Sequence, residues 1–169
     1  MNKELLIIGA SGHGRVCADI AKLNGYESIR FLDDDKSIRE CAGYEVIGST
    51  EDLEKYVSLS SFFVAIGNSG IRSRITDQIN AQGGSIVTLL HPDAVIAEDV
   101  LIREGSVVMA GTVINSGTVI GKGCIINTSS SVDHDCRIEE FGHVAVGGTY
   151  CRNSRDWQWY MDRRRGNSQ

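Results

Sequence analysis

Proline occurs once in this 169-residue chain, aromatic residues make up only 7%, and positive charge is not in excess. Lys and Arg number 17 against 22 Asp and Glu, a formal net charge of -5. That balance excludes a nucleic-acid backbone as partner, because phosphate binding of that kind needs clustered Lys and Arg. Small anions remain open as ligands, since backbone amides can hold them. No run approaches the roughly 18 apolar residues of a membrane span. The chain opens on a strand-like Leu5 to Ile8 and not on a signal peptide, so the expected location is cytoplasmic. Five cysteines (Cys17, Cys41, Cys124, Cys136 and Cys151) form an odd set with no paired spacing. They read as reduced thiols, with neither a disulfide framework nor a zinc ribbon, and no metal is expected.

What the second half does have is a period. An aliphatic residue recurs at every sixth position, at Ile96, Ile102, Val108, Ile114, Ile120, Ile126, Val132, Ile138 and Val144. Six is neither the alternation of a plain strand nor the 3.6 spacing of a helix, and it belongs to a hexapeptide-repeat, left-handed parallel β-helix. Each hexad makes one short face of a triangular coil with its aliphatic residue on the axis. Gly105, Gly111, Gly117 and Gly123 fall at the corners, where the backbone must bend. Nine hexads make three coils, a short prism.

The first ninety residues read as an α/β module. Leu5-Leu6-Ile7-Ile8, then Gly9-Ala10-Ser11-Gly12-His13-Gly14, a helix over Arg15 to Leu23 and a strand at Ile29 to Leu32 make a Rossmann-like βαβ unit. Glycines between a strand and a helix let the backbone approach a phosphate, and the helix N-terminus behind them presents N–H groups and a positive dipole end. Asp33, Asp34 and Asp35 close the second strand about twenty residues on, where a carboxylate can accept from a ribose or base. Glycines serving only turns, and acids in a solvated turn, are the plainer readings. A third strand at Phe62 to Ile66 ends in Gly67-Asn68, and its carboxyl end should open on the same crevice as Ser11. A helix from about Ile71 to Gln82 and a last short strand at Val87 to Leu90 follow. The sole proline, Pro92, marks the junction. The expected units are therefore 1–90, the repeat over 91–147, and a tail over 148–169.

The repeat departs from its habits at Asn127-Thr128-Ser129-Ser130-Ser131-Val132-Asp133-His134-Asp135-Cys136, a polar stretch with an imidazole between carboxylates. His134 is the candidate base, since a group with a pKa near neutrality can take the proton from an attacking amine or hydroxyl. Asp135 can orient the ring. A solvated turn would carry the same residues. His143 follows nine residues later.

Six motifs in order, Gly9-Ala10-Ser11-Gly12-His13-Gly14, Phe31-Leu32-Asp33-Asp34, Ala65-Ile66-Gly67-Asn68, Ile126-Asn127-Thr128-Ser129, His134-Asp135-Cys136 and Gly142-His143-Val144-Ala145-Val146-Gly147, resemble the bacterial sugar O- and N-acyltransferases of the sialic-acid acetyltransferase group. Within it they are most similar to the branch that acetylates UDP-linked 4-amino sugars in bacillosamine biosynthesis. The resemblance covers residues 3 to 147. It implies direct transfer of acetyl from acetyl-CoA to the 4-amino group of a UDP-4-amino-4,6-dideoxy sugar, with no acyl-enzyme. Carried over by position, it implies nucleotide-sugar binding at Ser11, Gly12, His13, Asp33, Asp34 and Gly67. The general base falls on His134, supported by Asp135 where the family has Glu, and an acetyl-CoA contact falls on His143. Asn127 is a further candidate for placing the substrate. The family also implies a homotrimer.

Residues 148–169 hold both tryptophans, Trp157 and Trp159, and the run Arg163 to Arg165, and no hexads. Read one nucleotide later, permitted codons continue the hexad register with Ile at 150, 156 and 162. The expectation is therefore a shifted frame after Gly147, a family member truncated there with a disordered tail, a weak or absent trimer and impaired catalysis. Other readings stand beside this one: a nucleotide-sugar-binding module without catalysis, and an O-acetyltransferase of a sialic-acid-like sugar. A hexad-prism hydratase would need three converging histidines on zinc, and the hexads from Ile96 onward hold two, His134 and His143.

Overall fold

A computed structural model describes residues 4–151 of the chain. The first unit runs β1 (Glu4–Ile8), α1 (Gly12–Leu23), β2 (Ile29–Leu32), β3 (Glu40–Cys41), β4 (Tyr44–Gly48), β5 (Ser60–Val64), α2 (Ser69–Ala81) and β6 (Ser85–Ile86). Its sheet order is β3-β4-β2-β1-β5-β6, parallel except for the β3–β4 hairpin. Because β2 lies on one side of β1 and β5 on the other, the strand order reverses there. A crevice opens at the carboxyl ends of β1 and β5.

Both faces of β1 are apolar, as a sheet covered on both sides requires. Leu5, Ile7, Phe31 and Phe63 pack with Cys17, Ala18 and Ala21 of α1, while Leu6, Ile8, Leu32, Phe62 and Val64 pack with Ile75 and Ile79 of α2. The sequence pattern missed β3, β4 and the 3₁₀ turn Thr50–Lys55, short elements with no alternation to betray them. It also started β5 two residues late and α1 three residues late, because that helix begins inside the glycine loop.

The second unit is the expected parallel β-helix. Its eleven described strands, β7 to β17, are Leu89–Leu90, Val95–Ile96, Leu101–Ile102, Val107–Val108, Val113–Ile114, Val119–Ile120, Ile125–Ile126, Ser131–Val132, Arg137–Ile138, His143–Val144 and Thr149–Tyr150. They stack into three parallel faces: β7-β10-β13-β16, β8-β11-β14-β17 and β9-β12-β15. Partners such as Val107 and Ile125 stand one coil apart. The second residue of each strand lies on the axis, where Val108, Ile114, Ile120, Ile126, Val132, Ile138 and Val144 form one core. Each contributes about 1.5–3 kcal/mol by burial.

The register is longer than the sequence pattern showed. Leu89–Leu90, read as closing the first module, pairs with Val107–Val108 as the first strand of the prism. Thr149–Tyr150, read as tail, pairs with Ser131–Val132 and puts the Tyr150 ring in the axial position. Residues 152–169, on which the expected frameshift and disorder chiefly fall, lie outside the described residues.

Left-handed backbone recurs at every sixth residue, once at each corner: Gly105, Gly111, Gly117, Gly123 and Gly147, but also Ser129 (φ 54°), Asp135 (φ 54°) and Phe141 (φ 57°). Side chains disfavour that conformation, so the three exceptions mark the last coils as the strained part of the prism. Inside, hydroxyls tie one corner to the next: Ser106 Oγ donates to Gly121 O (2.8 Å), Thr112 Oγ1 to Asn127 O (3.0 Å) and Thr118 Oγ1 to Asp133 O (2.8 Å).

The two units share a core. Leu89, Val107 and Ile125, the outward column of the first prism face, are buried among the residues of β1, β2 and α1. The next residue down that column is His143.

Candidate active site

The glycine loop sorts into packing glycines and open ones. A Cβ on Gly14 would lie 2.0 Å from Gly9 O, and one on Gly9, at φ 105°, would lie 2.9 Å from Ala65 O. Those two are needed so that loop, helix and β5 can close on each other. Gly12 and Gly67 have no atom within 4 Å of the same point. They border open space, where a ligand can approach the backbone. Ser11 is the N-cap residue of α1, yet its hydroxyl makes no capping bond. The first N–H groups of the helix have no intrahelical partners, which suits an anion.

Asp33 has a structural part that the sequence did not show. Its Oδ2 accepts from Ala10 N (2.6 Å) and its Oδ1 from Asp35 N (2.8 Å). The first bond pins the glycine loop to the end of β2, and the second closes the turn that follows. Asp34 Oδ1 accepts from the Thr50 backbone N–H (2.9 Å) and hydroxyl (2.7 Å). Beside these acids lies a groove walled by Lys36, Ile38, Arg39, Val46 and Ser49, none of them singled out by the sequence pattern. Asn68 caps α2 by accepting from Ile71 N (3.0 Å).

His13 turns from the loop toward the prism. Burial first, then the neighbouring His143 and the Arg72 guanidinium, which disfavour a second positive charge, hold its pKa down to about 4, so the ring is neutral near pH 7. His143 Nε2 lies 3.1 Å from Asn127 Nδ2, and Asn127 Oδ1 accepts from Thr128 N (2.9 Å). The amide nitrogen is therefore the donor, and the imidazole is the acceptor at Nε2. The structure thus brings His13, Asn127 and His143 to one place on the first prism face.

His134 and Asp135 are elsewhere. They stand at the corner between β14 and β15, with His134 Nδ1 2.9 Å from Asp135 Oδ2 and side chains 57% and 55% exposed. The left-handed backbone of Asp135, held by its N–H to Ser116 O (2.9 Å), turns the carboxylate back onto the preceding ring. Asp133 Oδ1 accepts the His134 N–H (2.8 Å). With Nδ1–H donating to Asp135, Nε2 is the nitrogen that can take a proton. This corner is not on the face the first unit covers, so the candidate base and the open glycines of one chain do not converge.

A family model described as the PglD N-terminal domain matches residues 4–79. A GDP-perosamine N-acetyltransferase of Escherichia coli O157:H7 is 30% identical over 148 residues, covering 83% of this chain and 66% of that protein. A UDP-N-acetylbacillosamine N-acetyltransferase of Bacillus subtilis (strain 168) is 28% identical over 100 residues, covering 57% and 46%. The acetyltransferase domain of PglB from Neisseria gonorrhoeae FA1090, also solved with acetyl coenzyme A, superposes with a TM-score of 0.82 at 42% identity, over 86% of this chain and 72% of that one. The chain belongs to this sugar N-acetyltransferase family. It spans 66% of the length of the first of these relatives and 46% of the second.

Among the described residues no group of three His, Cys, Asp or Glu side chains could hold a metal ion, and no helix is long and apolar enough to cross a membrane. The five cysteines are free, four of them buried. One buried group had no sequence signal at all. Arg72, on the face of α2 turned to the prism, is 1% exposed and joins both units.

Proposed function

We propose that the chain transfers acetyl from acetyl-CoA to the 4-amino group of a UDP-linked 4-amino-4,6-dideoxy sugar. The observation that carries the reading is the His134–Asp135 pair, oriented through Nδ1 and available at Nε2. As the sugar amine attacks the thioester carbonyl, Nε2 takes the amine proton, and Asp135 stabilises the imidazolium that forms. The thiolate of CoA leaves, and the proton returns to it from His134, so no acyl-enzyme is needed. The nucleotide sugar sits over Gly12 and Gly67 with Ser11, His13 and Asp34 around it, and Asp33 holds that loop in shape. His143, set by Asn127, contacts acetyl-CoA. The UDP preference rests on the motifs shared with the bacillosamine branch. A GDP-linked amino sugar is the direct comparison.

Because the first unit covers one prism face and His134 stands between the other two, sugar and base come from adjacent copies of a homotrimer, so a chain whose trimer is weak turns over slowly. Outward Val95, Leu101 and Val113 on the uncovered faces are exposed and apolar, as such contacts require. Mixing His134→Ala chains with Gly12→Trp chains, each inactive alone, should restore thiol release. No restoration contradicts the shared site. The exposure of the His134 pair in the single chain favours the second reading, a nucleotide-sugar-binding module without catalysis. Saturable sugar-nucleotide binding with no sugar-dependent thiol release would select it.

A further inference from the structure

Arg72 has no part in the acyl transfer just described, yet it is the largest of the fully buried side chains. Its guanidinium donates to four backbone carbonyls. Nη1 reaches Ile66 O (2.6 Å) and Gly67 O (2.9 Å) in the turn after β5, Nε reaches Gly123 O (2.7 Å), and Nη2 reaches Phe141 O (2.6 Å). Gly123 and Phe141 are corners of successive coils. Among the described residues no carboxylate pairs with it. A buried cation held only by carbonyls is an expensive way to join two units, since an apolar side chain of that volume would do so without desolvating a charge. What the guanidinium adds is geometry, donors fixed in one plane and aimed at two elements at once.

We propose that Arg72 is a positioning residue, which locks the Gly67 turn of the nucleotide-sugar site in register with the prism corner that leads into His143. The inference rests on the nucleotide-sugar reading above. At its first end, the Ile66–Gly67 turn abuts the glycine loop, as Ala65 O and the Ile66 side chain are the nearest neighbours of Gly9. A shift of the turn is therefore a shift of the loop. At the other end, Phe141 holds a left-handed backbone that its side chain disfavours, with its ring packed on Gly123 so closely that a Cβ there would fall 2.4 Å from it. The Arg72 bond to Phe141 O fixes that strained corner, and two residues on stands His143 with its Asn127 partner. A second link runs alongside at the surface, where Lys122 lies between Asp77 of α2 (3.6 Å) and Glu140 (3.7 Å).

The test is calorimetric titration of UDP- and GDP-linked 4-amino sugars into the wild-type chain, Arg72→Met, Arg72→Lys and Ile79→Ala, well below each melting temperature. Ile79 is a buried core residue of the same helix that makes none of the Arg72 hydrogen bonds, so its variant loses stability with the guanidinium bridge intact. The expected result is tenfold or greater weakening in Arg72→Met, an intermediate loss in Arg72→Lys and wild-type affinity in Ile79→Ala. Lysine keeps the charge but not the planar fork, and it keeps the test open if the methionine variant fails to fold. Unchanged affinity in a folded Arg72 variant, or equal weakening in Ile79→Ala, would overturn the positioning role alone. If the wild-type chain binds neither sugar nucleotide, the nucleotide-sugar reading falls and takes this inference with it.

Discussion

Two alanine substitutions two residues apart in the glycine loop should have opposite consequences. At Gly14 the new methyl would lie 2.0 Å from Gly9 O, 3.1 Å from Gly9 C and 3.2 Å from the Phe31 ring. The overlap with Gly9 O exceeds 1 Å, and the obstacle is backbone that Asp33 pins through Ala10 N, so little can yield. Overpacking costs about 1–3 kcal/mol where side chains can move, and this site belongs at the upper end, about 3 kcal/mol. For a chain of this size that is a fall in Tm of about 6–12 °C. At Gly12, the first residue of α1, no atom lies within 4 Å and the backbone is not left-handed. Alanine there should leave stability unchanged or raise it by about 0.4–1 kcal/mol through the unfolded state. Its methyl does enter the open space, so sugar-nucleotide affinity should fall at least tenfold, about 1.4 kcal/mol. Urea unfolding followed by circular dichroism reads the first quantity and calorimetric titration the second. A Gly12→Ala chain that binds as the wild type does would refute the assignment of that space to the ligand.

Other consequences follow from the same geometry. His134→Ala should lower turnover by about 10²–10⁴-fold with sugar-nucleotide affinity intact; thiol release at wild-type rate would remove His134 as base. In the folded chain His13 is held neutral down to about pH 4, while unfolded it takes a proton below about 6.5. Stability from this group is therefore present above pH 6.5 and lost as pH falls toward 4, by up to about 3 kcal/mol. Urea midpoints across that window should show a steeper loss in wild type than in His13→Asn, and parallel curves would contradict it. Asp33→Ala removes two acceptors of backbone amides and should cost about 1–3 kcal/mol along with sugar-nucleotide binding. A variant as stable as wild type would return Asp33 to the role of a ligand contact.

The prism was legible because one residue in six must be apolar to reach the axis, and that demand leaves a period no helix or ordinary strand has. Its ends were not, since Leu90 continues the spacing in a segment that also reads as a sheet strand, and Tyr150 substitutes an aromatic ring for the expected aliphatic. His134 stood out by its carboxylate neighbours, and of these Asp135 is the one within hydrogen-bond distance of the ring. An acid at the end of β2 can meet a ribose or staple a loop, and the stapling of Asp33 to Ala10 N was not legible because it depends on where the fold places that amide. Arg72 was invisible because its partners Gly123 and Phe141 lie 51 and 69 residues away and offer only carbonyls, a group every residue carries.

The most direct test of the whole account is CoA thiol release from acetyl-CoA in the presence of a UDP-linked 4-amino-4,6-dideoxy sugar, with the GDP-linked sugar and the His134→Ala chain in parallel. The account predicts release that depends on the amino sugar, favours the UDP form and disappears in His134→Ala. Sugar-independent release, or none at all while the sugar nucleotide still binds, would contradict it.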